Sequence, residues 1–564
     1  MPNEYSYGAF GHISDDVAQN ATQAGTVPVY VGIAPVNLVR GYATAGIINT
    51  PVKLSNINEA KRKVGYTDDW ANFSLCEAID AHFNNPIGNM GPIYVINVLD
   101  PAVHKAAATT KSLTFTNKIA TIESDKIILD TFAMDTKVEG VDYRLSYDYG
   151  TKTLTIYDIG VTPLTTVTAS YNEVDLAAIT SATIIGGVTA DGVSSGLASI
   201  KFLYQNFNAV TNIIAAPGWS KIPDVYTAMV AASQKINGHW EAFVIADIPI
   251  VYKTDIKETL AVTNKVATYE KAGLDTSTLK VYASGSTTPA TLTTDYTINY
   301  TDGTLTITMT DTGALATATS IDIEIQSSET VDTITKAKQW KIDNSYSAER
   351  SKVYWPMGAN GSKIYHLSTM AVVEMMRADF SHKSIPMETP GNKPIPITRQ
   401  YFGATSKNQG FDQQEAKELT SNGISTAIYW ESNWRLWGDH TAAYTYGGSF
   451  NARAIFDTSM RMLMYITNSF QREWGTSIDK PMALSLQETI LNREQEKLET
   501  LKSDGALIGS PKVYFLESEN QTTDLMNGDF RWDISVTPTP PLKSATVYVT
   551  YTDEGFAAYF GGDQ

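Results

Sequence analysis

Two threonine-rich segments of this chain repeat one another and interrupt an otherwise regular alternation of strands and helices. Thr116-Asn-Lys-Ile-Ala-Thr121 matches Thr263-Asn-Lys-Val-Ala-Thr268. Asp142-Tyr-Arg-Leu-Ser-Tyr147, followed by Gly150 and Leu154-Thr-Ile156, matches Asp295-Tyr-Thr-Ile-Asn-Tyr300, followed by Gly303 and Leu305-Thr-Ile307. A pattern that recurs at two distant places has to be a unit that closes its own core inside a loop of something larger. Both copies carry short alternating strands and turn signals and are the size of a small β-sandwich. All ten tryptophans lie outside them. The copies are assigned to residues 102–178 and 262–332. Tyr143 and Tyr296 read as sandwich core, and Asp142 and Asp295 as turn acceptors, rather than as lectin-like contacts.

Around the copies runs a layered α/β pattern. Val27-Pro-Val-Tyr-Val-Gly-Ile-Ala34 and Pro92-Ile-Tyr-Val-Ile-Asn-Val-Leu99 suit buried strands. Between them Asn56 caps a helix, with Glu59 at capping-box spacing. A second helix, Ser74 to Asn84, places Leu75, Ile79 and Phe83 on one face. The pattern resumes with the strand Asn212 to Gly218, a helix Pro223 to Lys235 and the strand Trp240 to Asp247. After the second copy come a helix near Ile334 to Asn344, the strand Val353 to Pro356, a helix Ser368 to Phe380 and a proline-rich loop, 385–397. The expected fold class is an α/β (α+β) core plus a C-terminal α+β domain, with two inserted small β-sandwich-like domains.

The chain has 564 residues, which suggests three or four domains, and its net charge of −17 repels phosphate backbones. Nucleic acid is therefore a poor partner. No run of about 18 apolar residues occurs, so direct membrane insertion is not expected. The start, Met1 to Gly8, has neither a basic nor an apolar leader segment, so no secretory signal is expected. The single cysteine, Cys76, excludes an internal disulfide and sits in a helical pattern that buries it. Asp247, at the end of a strand, is the best lone enzyme candidate. No phosphate loop, HExxH, G-x-S-x-G or Cys-x-x-Cys accompanies it. The seven histidines form no i, i+4 pair. Catalytic, metal and cofactor-binding residues are all expected to be none, and Asp247 reads as structural.

Near the carboxyl end, Arg453 to Trp474 is a long helix with Phe456, Met460, Leu463, Met464, Thr467 and Trp474 on an apolar stripe. Met482 to Lys502 is a second helix, with Leu484, Ile490, Leu491, Leu498 and Leu501 apolar and Arg493, Glu494, Lys497, Glu499 and Lys502 on a solvated face. Asp504-Gly505 supplies a left-handed stop. Strands follow at Val513 to Leu516, Phe530 to Val536 and Ala545 to Tyr551. In the last, Ala545, Val547, Val549 and Tyr551 alternate with Thr546, Tyr548, Thr550 and Thr552. Such a strand needs a sheet to join, in its own domain or on a neighbour's edge.

In order, Pro28 to Ile33, Pro92 to Val98, Asn212 to Gly218 with Pro223-Asp224, Phe243 to Pro249, Val353 to Pro356, Asn422-Gly-Ile424, Trp437-Gly438-x-x-Thr441, Gly505 to Gly509, Asn520 and Gly528 resemble the contractile tail sheath proteins of phages and phage tail-like particles. His440 stands where that family usually has an arginine, and the two inserts match poorly. The resemblance implies a non-enzymatic structural subunit that polymerises as stacked hexameric rings, wound helically around a tail tube. On a baseplate signal the sheath contracts and drives the tube through a host envelope. Its implied partners are other copies of itself, the tail tube protein, and baseplate and tail terminator proteins. Its implied location is the virion tail, after assembly in the host bacterial cytoplasm. Terminal segments exchange strands between subunits, which here points to Tyr5, Tyr7, Val547, Val549 and Tyr551. The family's tube contact lies in the C-terminal domain, with Arg493, Lys497 and Lys502 as candidates. The division is then an arm 1–25, a core of 26–101 with 179–261 and 333–425, the two inserts, a C-terminal domain 426–542 and a final arm 543–564. A bacteriocin-like particle shares the mechanism. A β-rich surface adhesin and an enzyme centred on Asp247 are the readings of other classes.

Overall fold

The computed structural model describes residues 22–23 and 25–560. Its centre is an eight-stranded sheet built from β1 (Pro28–Gly32), β2 (Val52–Leu54), β3 (Ile93–Asn97), β4 (Ile213–Ala215), β5 (Phe243–Asp247), β6 (Ser351–Tyr354), β7 (Ile424–Trp430) and β8 (Asn433–Trp437). The strand order is β8-β7-β6-β5-β4-β1-β3-β2. The six strands from β7 to β3 run parallel, and antiparallel β8 and β2 close the two sides. Strands β1, β3 and β5 are buried along their whole length, as parallel strands covered on both faces must be. Helices α1 (Leu75–Phe83), α2 (Pro223–Ala232) and α3 (Leu367–Ser381) pack beside this sheet.

The sequence places α1 with one apolar face, yet every residue from Leu75 to Phe83 is buried, including Glu77, Asp80 and His82. These polar groups are satisfied inside the core. Lys363 and Tyr365 hold Asp80, and the His366 backbone and ring hold Glu77. The cap of the preceding helix, Ile57–Lys63, forms as the sequence suggests. The Asn56 side chain accepts from the Glu59 amide at 2.9 Å, and Glu59 accepts from the Ser55 amide at 2.7 Å.

The two repeated segments have matching backbones. Each is a pair of three-stranded sheets enclosing its own apolar cluster. In both, an Asn-Lys pair turns the first hairpin with positive φ at both residues: Asn117 and Lys118 at 53° and 65°, Asn264 and Lys265 at 52° and 64°. That is the twist a two-residue hairpin loop requires. Tyr143 and Tyr296 are buried in the cores, and Asp142 and Asp295 accept backbone amides of Val138 and Thr291 in their turns. The first unit is fastened to the central sheet domain: Asn37 donates to the Asp125 and Ile127 carbonyls, and Thr67 donates to Asp125. Ahead of residue 262, the strand Val251–Ala261 pairs along Ser320–Thr330 and places Ile256 in the apolar cluster of the second unit. Its root is held by the Trp355 indole on the Val331 carbonyl and by Asn408 on the Asp332 carbonyl.

The C-terminal part holds α4 (Asp457–Trp474), α5 (Leu484–Ser503) and a hairpin of β9 (Leu507–Tyr514) and β10 (Asp533–Pro538). No described helix is long and apolar enough to cross a membrane.

Candidate assembly surface

Helix α4 belongs to two cores at once. Met460 and Met464 pack into the central cluster, whereas Met462 and Ile466 pack with Leu498, Leu501, Ala506, Leu507 and Val513 of α5 and the hairpin. The single stripe read from the sequence is therefore corrected: Thr467 is exposed, Leu463 is half-buried, and a second face was missed. A methionine-rich helix between two packing surfaces buries opposite sides, which one stripe cannot describe.

Polar contacts fix the same joint. Lys352 of β6 is fully buried and pairs with Asp457, at the first turn of α4, and it also donates to the Gly438 carbonyl at 2.8 Å. One turn on, Arg461 pairs with Asp379 of α3, both nearly inaccessible, and Thr26 donates to the same carboxylate at 2.6 Å. The Trp437-Gly438-x-His440-Thr441 motif is the latch beside them. Gly438 has φ of 120°, and a Cβ there would lie 2.7 Å from the Ser425 hydroxyl. The buried His440 ring stacks on Tyr444, with centroids 3.5 Å apart, and on Phe456, and donates from Nδ1 to the Ile455 carbonyl. Burial holds its pKa below the usual histidine range. Thr441 donates to the Ala454 carbonyl. This motif is structural.

The three basic residues named on α5 are not equivalent. Lys497 bridges Glu473 of α4 and Glu494, the latter at 2.7 Å. Arg493 meets Glu473 at 3.3 Å and lies over the Trp474 ring. Lys502 lies 4.0 Å from Glu499 on a more open face. Two assignments on α5 change. Glu494 is buried and accepts the Trp474 indole N–H at 2.6 Å, because α5 rolls its charged face against α4. Leu484, read as apolar core, is exposed.

The hairpin β9/β10 pairs only with itself among the described residues. On the outer side of β9, Gln495 of α5 accepts the Val513 amide and donates to the Pro511 carbonyl, so the edge left open among the described residues is that of β10. Asn520 braces its loop, donating to the Leu516 and Arg531 carbonyls and accepting the Arg531 amide. The strand read at 530–536 is shifted to Asp533–Pro538, and a short helix, Thr522–Asn527, precedes it. Residues 541–552 form no strand, contrary to the expected Ala545 to Tyr551. They pair with no strand among the described residues, and Val547, Val549 and Tyr551 are 81%, 89% and 79% exposed. A helix that the sequence reading missed, Glu554–Phe560, ends the described chain. Tyr5 and Tyr7 lie outside the described residues.

Asp247 is buried and holds the start of α3: its carboxylate accepts from the Ser368 amide and hydroxyl and from Ser220. Burial raises its pKa. Cys76 is fully buried, which pushes its thiol well up and keeps it unreactive. No group of three or more metal-ligating side chains occurs among the described residues.

No family model matches the chain. It is 24% identical over 561 residues to the tail sheath protein of Burkholderia phage BcepMu, an overlap of 96% of this chain and 97% of that protein. It is 25% identical over 179 residues to the major tail sheath protein of Serratia phage KSP20, covering 32% of this chain and 42% of that one. A chain of the anti-feeding prophage baseplate, seen by cryo-electron microscopy, aligns over 97% of this chain and 100% of its own with a TM-score of 0.49 and 10% identity. The chain is a mixed α/β multidomain protein whose sequence relatives are phage tail sheath proteins. It is homologous to one of them along nearly its whole length.

Proposed function

We propose that this chain is the subunit of a contractile tail sheath, a structural protein without catalytic activity. It polymerises as stacked hexameric rings in a helix around a tail tube and contracts to drive the tube through a host envelope. The observation that carries this reading is the end-to-end match to a tail sheath protein. The open outer edge of β10 and the alternating segment at 545–551, unpaired among the described residues, support it, because one chain carries both an acceptor and a donor that do not pair with each other. A donor and an acceptor on different faces give a heterologous contact, which propagates as a helix unless its rotation closes. The segment between β10 and Ala545 then acts as the hinge when the polymer passes from one packing to the other.

In this reading Tyr5, Tyr7, Val547, Val549 and Tyr551 take part in strand exchange. Arg493 and Lys502 remain the tube-contact residues, with Lys497 mainly a brace between α4 and α5. The tail tube, baseplate and tail terminator proteins are its partners, the virion tail its place and the bacterial cytoplasm its site of assembly. The two β units are related inserted domains that face outward, where they leave contraction unobstructed.

The tube contact is tested by co-sedimenting the chain with purified tail tubes. The double change Arg493→Glu and Lys502→Glu weakens attachment while the chain still polymerises. Unchanged attachment removes these residues from the contact.

A further inference from the structure

The two repeated units differ at the end that carries their turn acceptors. In the first, loops 138–141 and 159–161 meet at Asp142, whose carboxylate accepts the Val138 amide and whose carbonyl accepts the Ile159 amide. The second makes the same bonds with Thr291, Asp295 and Thr310. The Gly140 amide on the Tyr143 carbonyl and the Thr293 amide on the Tyr296 carbonyl, both at 2.7 Å, fix the alignment of the first loop. Leu164 and Leu315, buried in their respective cores, fix that of the second. Val138, Val141, Ile159 and Val161 then stand where the second unit has Thr291, Thr294, Thr310 and Thr312.

All four aliphatic side chains are exposed. The fold does not ask for them, because the second unit closes the same loops with threonine. That second tip carries one exposed apolar residue, Leu292, where the first has Glu139. Glu139 is the single charge in the two loops of the first unit, and Arg40 of the central domain neutralises it. The tip is thus an apolar patch on a chain of net charge −17. Copies of so acidic a chain repel one another, and they approach most closely where no free charge is presented. A bilayer is the poorer match, because neither loop carries the Trp, Tyr, Lys or Arg that anchors a surface-bound segment. The patch measures a few hundred Å², enough to mark an interaction site. It falls short of the roughly 800 Å² per partner that a free-standing dimer needs. Such a contact forms between copies that other contacts already hold side by side, where the effective concentration is high.

We infer that the tip formed by loops 138–141 and 159–161 is a contact surface for a second copy of this chain. The inference rests on the proposed polymer, which supplies the neighbouring copy. Asn37, Thr67 and Arg40 fasten the first unit to the central domain, so its tip is presented at a fixed place on each copy. The duplicated unit has thereby divided its roles: the first copy carries the contact, and the second keeps a solvated tip.

The test places the photoreactive residue p-benzoylphenylalanine at position 161 of the full chain, and separately at position 312. Each chain is irradiated after assembly with tail tubes. The expected result is a product joining two copies of the chain from position 161, at least fivefold above that from position 312. Val138→Thr, Val141→Thr and Ile159→Thr together lower it at least fivefold, with thermal denaturation unchanged. Absence of a product joining two copies, equal yields from the two positions, or a yield indifferent to the threonine changes overturns the inference. A product only with the tube protein, or only with added vesicles of phosphatidylethanolamine and phosphatidylglycerol, overturns it too, because the occupant is then another protein or a membrane. Sheaths that form without the product overturn this inference alone and leave the proposed function standing. A product without sheaths supports the contact and contradicts that function.

Discussion

Lys352 and Asp457 form an ion pair with no exposed surface on either side chain, and they join the central sheet to the first turn of α4. The ammonium also holds the Gly438 carbonyl, and Thr389 donates to the same aspartate at 3.0 Å. Strand, glycine latch, loop and helix therefore meet at one buried charge pair. Removing one partner strands the other charge in the interior, which costs about 3–5 kcal/mol. Lys352→Met is expected to lower the stability of the chain by that amount in chemical denaturation. Lys352→Met combined with Asp457→Leu is expected to lose less than the single change. A loss in the double change equal to the sum of the Lys352→Met and Asp457→Leu losses would mean that the pair contributes nothing beyond its two side chains.

The division of α4 between two cores gives a second expectation. Met462→Ala and Ile466→Ala empty the small C-terminal cluster, and Met464→Ala empties the central one. Each costs about 2–5 kcal/mol. Hydrogen exchange separates them: the first two raise exchange in α5 and the hairpin and leave β1 and β3 protected, and Met464→Ala exposes the central sheet. Loss of protection everywhere in all three variants would show that the two clusters unfold as one.

His82 sets an acid limit. Its Nδ1–H donates to the Met90 carbonyl at 2.9 Å, and its Nε2 accepts from the Tyr30 hydroxyl at 2.7 Å, so the buried ring is held neutral. Burial lowers its pKa to about 4. The unfolded chain titrates near 6.5 and takes up a proton first as the pH falls. Stability is therefore full above about pH 6.5 and declines down to about pH 4, with a loss on the order of 2 kcal/mol between pH 7.5 and 5. His82→Gln is expected to flatten that part of the profile, and an unchanged slope would assign the acid sensitivity elsewhere.

The charged face of α5 separates folding from surface chemistry. Lys497→Glu sets a third carboxylate beside Glu473 and Glu494, one of them buried, and is expected to destabilise the joint between α4 and α5 by about 1–3 kcal/mol. Lys502→Glu, on the open side, is expected to stay within about 0.5 kcal/mol of the parent. Thermal denaturation of the two variants checks the order, and a reversed order would contradict the packing of α5.

Where local chemistry decided the structure, the sequence was readable. The Asn56 cap, the left-handed Gly505 after α5 and the buried runs of β1, β3 and β5 follow from side-chain type and spacing alone. The repeated units were visible because their turns need the same residues in both copies. Tertiary burial decided the rest. Glu494 looks solvated on a helical wheel and is buried because Trp474 and Lys497 come to it from α4 and from one turn along α5. Val251–Ala261 hides among charged residues because only Ile256 and its neighbours on one face reach the core. The segment 545–551 has the alternation of a strand but no partner among the described residues, so its alternation alone did not decide its structure.

That segment carries the central claim. Proline at position 549 removes a backbone donor from the middle of the alternating stretch, where Val549 is exposed and touches no core. The decisive measurement is negative-stain electron microscopy of the purified chain beside Val549→Pro, both assembled in the presence of tail tubes. Striated helical sheaths from the parent, with bare tubes and a folded monomer from Val549→Pro, are the predicted result. Sheaths of equal length from both would contradict strand exchange through residues 545–551, and no sheath from the parent would contradict the proposed function itself.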